Sequence, residues 1–300
     1  MLPSHNRFAY SPITARAPFL WPGEKRLAVY VAICIEHFSY AEGGLGLSYS
    51  PDIPHPNTYN WAWREYGNRV GGWRLLDVYR EAGIAPTVLV NAACYEHCPE
   101  LLGAYRDLGA EFVGHGRTNS QPPNGLRDDA HRELIHSVTE TMTKYEGRPP
   151  AGWMSPGANP GRKTEDFLAE FGYHYTLDWP LDEQPVALST EHGQIWAIPY
   201  PHEVNDVPMI AFHHGSSRAF ADMVTDSFDE LLEQSHSASL VYGIVVHSFI
   251  VGQPHRLRHF RRALQHIVAN SSDVWFTTPN EIATYYESRV VDLSTGATGS

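Results

Sequence analysis

Arg26-Leu-Ala-Val-Tyr-Val-Ala-Ile-Cys-Ile-Glu36-His37-Phe38 is a near-continuous apolar run that ends in a carboxylate and an imidazole. A run this uniform predicts a strand buried on both faces, as in a parallel sheet or barrel. Ionisable side chains are rarely buried without a partner, and the C-terminal ends of strands are where α/β proteins place their chemistry. Glu36 and His37 are therefore active-site candidates.

Outward from this run the chain alternates strand, loop and helix. Residues 72–83 carry Leu75, Leu76 and Tyr79 at helical spacing, with Gly83 as a stop. A strand over 84–91 follows, then a helix over 98–108 and a short strand over 111–115. Helices are predicted over 128–146, 164–170, 220–234, 255–269 and 279–287, and strands over 151–154, 173–178, 195–199, 240–247 and 274–277. Such alternation predicts a parallel sheet with helical crossovers. With no linker-like shift in composition, the reading is one domain over 21–288, preceded by an arm over 1–20 and followed by a small, polar, disordered tail over 289–300.

Residues 40–71 read as one long loop rich in Gly, Pro and aromatic residues, including Tyr59, Trp61, Trp63 and Tyr66. A loop of this length inside a compact domain is usually functional. Its aromatics suit either a cap over the site or a subunit contact.

The chain has 300 residues, 42% of them hydrophobic, enough to bury one large core. A formal charge of −12 and a pI near 5.7, without a basic cluster, argue against nucleic acid or an anionic membrane as partner. No window approaches the length of a membrane span. The first eight residues lack an apolar signal-peptide core, so a cytoplasmic location is expected, with Cys34, Cys94 and Cys98 as reduced thiols. The small-molecule class of partner remains.

In a parallel barrel the strand C-termini meet at one mouth, which would gather Glu36-His37, His115, Trp153-Met154-Ser155 and His247. Each histidine alone reads as a core residue; their recurrence at strand ends suggests acid–base chemistry.

The order of these motifs resembles the polysaccharide deacetylase superfamily, over roughly residues 20 to 290. That resemblance implies a distorted (β/α) barrel, here of seven strands, and metal-dependent amide hydrolysis. In the family's first motif two aspartates end a strand, the first a catalytic base and the second a metal ligand; these positions read Glu36 and His37. The second motif is a pair of ligand histidines four residues apart, which here reads His115 and Asn119. The fifth supplies a catalytic histidine after an apolar strand, matching His247.

The chain is most similar to the allantoinase-like and cyclic imidase subgroup, through residues 65–74 (Glu65 to Arg74), 198–206 (Ile198 to Asp206) and 251–256 (Val251 to Arg256). The resemblance thus implies hydrolysis of the C–N bond of a small cyclic amide, with Glu36 as base and His247 as acid or oxyanion stabiliser. N-deacetylation of an amino sugar and a catalytically inactive binding barrel are the alternatives. His37, His115 and Asn119 would hold a divalent ion, zinc by donor type; a site without metal, as in allantoinase-like members, is the other outcome. No organic cofactor is expected. Arg117, Trp153, Ser155, Asn205, Asp206 and His255 are candidates for binding substrate, and a homo-oligomer, dimer or tetramer, is expected.

Overall fold

Along β1 (Leu27–Ile35) every residue is buried. Leu27, Val29, Val31, Ile33 and Ile35 pack with the helices, whereas Ala28, Tyr30, Ala32 and Cys34 join a second cluster with Leu89, Val113, Tyr175, Ile198 and Val245. Side chains alternate across a strand with period two. The odd positions therefore face a helical layer and the even positions face the inside of a curled sheet.

The computed structural model describes residues 5–40, 54 and 56–295. Its other strands are β2 (Thr87–Val90), β3 (Glu111–Gly114), β4 (Gly152–Trp153), β5 (Tyr175–Thr176), β6 (Val186–Thr190), β7 (Gly193–Ala197), β8 (Leu240–His247) and β9 (Val274–Phe276). They form a single sheet in the order β6-β7-β5-β4-β3-β2-β1-β8. From β7 to β8 all pairings are parallel, so seven strands form the curled path expected of the distorted barrel. β6 adds an antiparallel hairpin on β7, and β9 pairs with Leu27–Val29 on the edge of β1 that β2 takes over from Ala32 onward. Among the described residues no ladder joins β7 to β8; a single bridge from Asn205 to Val245 spans that gap.

The helices are α1 (Thr58–Tyr66), α2 (Gly72–Ala82), α3 (Cys94–His97), α4 (Pro99–Asp107), α5 (Asp128–Glu146), α6 (Thr164–Glu170), α7 (Ser217–Gln234), α8 (Pro254–Ala269) and α9 (Pro279–Thr295). No described helix is long and apolar enough to cross a membrane.

Three expectations need correction. The loop predicted over 40–71 is helical from Thr58: α1 continues through a π-helical turn, Gly67–Gly71, into α2. The Asn57 side chain accepts a hydrogen bond from the Asn60 N–H and starts the helix there. Residues 41–53 and 55 of the expected loop lie outside the described residues. The tail predicted from 289 is helical to Thr295, because no Gly or Pro interrupts the chain between Asn280 and Thr295. Finally, β6 was not predicted; the turn through Glu191 and His192 to Gly193, at φ 116°, returns it to β7.

The inside of the sheet is filled below the mouth. The Tyr30 hydroxyl donates to the Pro199 carbonyl at 2.7 Å, and Tyr175 donates to Glu111 at 2.7 Å. Gly243 leaves room for the Tyr30 ring, since a Cβ there would stand 2.6 Å from it. Packing of this kind leaves the C-terminal mouth for chemistry.

Candidate active site

Cys34 on β1 and His247 on β8 are register partners, so both side chains enter the lumen at one height. Glu36, two residues beyond Cys34, lies on the same face and is 5% exposed. One of its oxygens, Oε1, is 3.3 Å from His115 Nε2 and 3.8 Å from His247 Nε2. The other, Oε2, is buried without a hydrogen-bond partner among the described residues. A buried carboxylate oxygen left this way is the natural seat for a water or substrate atom.

Both imidazoles are oriented from behind. His115 Nδ1 donates to the Met154 carbonyl at 2.7 Å, which leaves Nε2 toward Glu36. His247 Nδ1 donates to Asp206 Oδ1 at 2.7 Å, and the His247 backbone N–H donates to Oδ2 at 2.9 Å. Asp206 is fully buried, and the neighbouring Asn205 forms the bridge that reaches β8.

Electrostatics favours an ion pair. Burial acts to raise the Glu36 carboxyl, but His247, the hydrogen bond and charge of His115 and the Arg64 guanidinium together hold it below the ordinary carboxylate range. For His247 burial acts downward, and Cys34, Asp206 and Glu36 outweigh it, so the imidazole is held well above its ordinary value. Burial pushes the Cys34 thiol up to about 11.

Glu36, His115 and His247 thus come together as expected, and Asp206 joins them as the partner of His247. Asn205 stands beside it, with its amide 3.5 Å from the Tyr200 hydroxyl.

The remaining candidates are placed differently. His37 is one residue past Glu36 and its ring lies against His97, with centroids 4.6 Å apart. No described hydrogen bond or ring contact joins His37 to Glu36 or His115, and its buried Nδ1 has no hydrogen-bond partner among the described residues. The Asn119 backbone N–H donates to the His37 carbonyl at 2.9 Å, while its Oδ1 is buried with no hydrogen-bond partner among the described residues. Trp153 is fully buried on the helix side against Tyr173. Its indole N–H donates to Ser155 Oγ at 3.0 Å, and Ser155 in turn donates to Asp178 at 2.7 Å, so neither side chain lines the lumen. Arg117 and His255 are exposed, His255 in the first turn of α8.

Two contributors escaped the sequence reading. Asn91, at the end of β2, accepts from the His37 N–H at 2.8 Å and donates to the His115 carbonyl, tying the ends of β1 and β3 together. Strand parity would have flagged it, as it would Cys34. Among the described His, Cys, Asp and Glu side chains, Cys34, Glu36 and His247 form the group whose donor atoms lie within 4.8 Å of one another, close enough to hold a cation.

Comparison with known proteins followed the same lines. No family model matches the chain. A Schizosaccharomyces pombe protein carrying the polysaccharide deacetylase name is 24% identical over 301 residues, covering 88% of this chain and 91% of that protein. A Helicobacter pylori peptidoglycan deacetylase is 22% identical over 251 residues, covering 73% and 84%. Among solved structures, Puue allantoinase superposes with a TM-score of 0.81 at 23% identity, covering 94% of this chain and 98% of that one. A probable polysaccharide deacetylase from Pseudomonas aeruginosa PAO1 gives 0.78 at 24% identity, covering 89% and 92%. The two structural likenesses show the fold and cover 89% and 94% of this chain.

Proposed function

We propose that this chain, which has the fold of the polysaccharide deacetylase proteins, is a hydrolase of non-peptide C–N amide bonds acting on a small cyclic amide such as an imide, hydantoin or ureide. The observation that carries the reading is the Glu36 carboxylate at the barrel mouth, which faces two oriented imidazoles and keeps one oxygen without a hydrogen-bond partner among the described residues. The likeness to an allantoinase over 94% of the chain supports the cyclic class of substrate.

In this reading Glu36 accepts a proton from the water that attacks the amide carbon. His247, protonated and steadied by Asp206, gives its Nε2 proton to the nitrogen as the C–N bond breaks. One water is consumed, a C–O bond replaces the C–N bond, and the ring opens to a carboxylic acid and an amide or urea. General acid and general base contribute typically ~10²-fold or more each. His115 holds the Glu36 carboxylate in place, and Asn91 holds the backbone of both.

The family resemblance implies a divalent ion, whose chemistry would be to polarise the carbonyl and acidify the attacking water. His37, His115 and Asn119 would be the residues to hold it: His37 Nδ1 and Asn119 Oδ1 are buried with no hydrogen-bond partner among the described residues, and His115 Nε2 faces Glu36. No step is assigned to it.

N-deacetylation of an amino sugar would use the same base and acid, and two deacetylase-named relatives favour it as the second reading. A panel of succinimide, hydantoin, allantoin and N-acetylglucosamine oligomers separates them. Ring opening of at least one cyclic amide without release of acetate is expected; acetate release with no ring opening would replace this reading with the second.

A further inference from the structure

The mechanism above leaves Cys34 unused, although its thiol lies beneath the reacting groups. Cys34 is 1% exposed, and register pairing sets it beside His247 while strand parity sets it below Glu36. We propose that Cys34, Glu36 and His247 form a site for a thiophilic divalent cation such as Zn²⁺, and that filling it switches the hydrolase off. The inhibitory half of this rests on the proposed function; the site itself does not.

Three observations carry it. The Sγ, carboxylate and imidazole donor atoms all lie within 4.8 Å of one another, and His247 Nε2 is 3.8 Å from Glu36 Oε1. Zinc sits about 2.0–2.3 Å from nitrogen, oxygen and sulfur donors, so donors around one ion stand roughly 3–4 Å apart. Small side-chain shifts would close the set. Second, His247 donates its other ring nitrogen to Asp206, the outer-shell arrangement that fixes a metal-bound imidazole and raises its basicity. Third, Glu36 Oε2 is a buried oxygen without a hydrogen-bond partner among the described residues, available for the same ion. The donor set of one thiol, one imidazole and one carboxylate selects zinc-like ions over magnesium or calcium, which want several oxygens.

This set differs from the one the family resemblance implies, and so does the consequence. As the metal–sulfur and metal–nitrogen bonds form, the Sγ and Nε2 protons leave to solvent. The ion then occupies the nitrogen that should protonate the leaving group and an oxygen of the base. A cation here opposes the reaction rather than assisting it.

The test titrates the purified full chain with Co²⁺ and Zn²⁺ and compares it with Cys34→Ala. Wild type should bind one equivalent of Co²⁺ with a thiolate-to-metal charge-transfer band, and Zn²⁺ should displace it while hydrolysis falls in proportion. Mg²⁺ should do neither. Cys34→Ala should remain folded by circular dichroism, lose the band, and bind zinc more weakly by at least the roughly 10–100-fold that loss of an outer-shell partner costs. A band that survives in Cys34→Ala, absence of stoichiometric binding to wild type, or activation of wild type by zinc would each overturn the proposal. If wild type hydrolyses no amide, the proposed function fails, and the cobalt spectrum still decides the site.

Discussion

His247 gives both its backbone N–H and its Nδ1–H to the two oxygens of the buried Asp206, at 2.9 and 2.7 Å. The arrangement fixes the ring, commits its Nδ1 proton and presents Nε2 to the lumen. Asp206→Asn keeps the shape and removes the charge. We expect its kcat to fall by roughly 10²–10⁴-fold, as loss of an imidazole's carboxylate partner does elsewhere. The alkaline limb of the pH–rate profile, which reports the acid, should move to lower pH. An unchanged limb would show that Asp206 does not set the proton affinity of His247.

The same pair makes stability depend on pH with a definite sign. The folded-state value of His247 is raised above the ordinary 6.5, so its proton contributes stability that is fully present below 6.5 and is lost as pH rises through the raised value. Glu36 runs the other way: held below 4.5, it contributes stability above that value and loses it as pH falls through the depressed one. Denaturant unfolding of wild type and His247→Asn across a pH series should therefore show a difference that shrinks toward alkaline pH. A difference that grows instead would contradict the pairing.

Asn91 is fully buried and bridges the His37 N–H to the His115 carbonyl. Asn91→Leu removes both bonds and leaves a buried donor and acceptor unpaired, so a loss of about 1–3 kcal/mol is expected by chemical denaturation. Because the two bonds hold the ends of β1 and β3, kcat should fall as well. Stability lost without any loss of rate would confine Asn91 to folding.

Gly71, in the π-helical turn, packs against the Ser248 carbonyl immediately after His247, and a Cβ there would overlap that oxygen. Gly71→Ala should cost about 1–3 kcal/mol of overpacking and displace the turn that follows His247. The reading predicts that kcat drops together with the melting temperature. Wild-type behaviour on both counts would mean that the turn does not brace the site.

The fold was legible because β1 and β8 are apolar on both faces and the helices between strands keep their period: the predicted helices over 128–146 and 164–170 match α5 and α6 end to end. Glu36, His115 and His247 were legible because they end strands. The side that His37 takes was not legible, for a physical reason. In a strand apolar on both faces, polarity does not show which side is the lumen, so adjacent Glu36 and His37 read as one pair although the pleat turns them apart. Parity along β1 pairs Glu36 with Cys34, and parity along β4 turns Trp153 and Ser155 to the helix side. Asp206 was seen as polar and near the site, but its role depends on the Asn205 crossing to β8, a contact across 40 residues that no local pattern encodes. The helix α1 was hidden by the Gly and Pro residues before it, which outweighed the Asn57 cap.

The central claim is that Glu36 is the base of an amide hydrolase, and steady-state hydrolysis by Glu36→Gln measures it most directly. On a cyclic amide that wild type opens, kcat should fall by at least ~10²-fold while circular dichroism and substrate binding are retained. A folded Glu36→Gln protein that opens the ring at the wild-type rate would contradict the account.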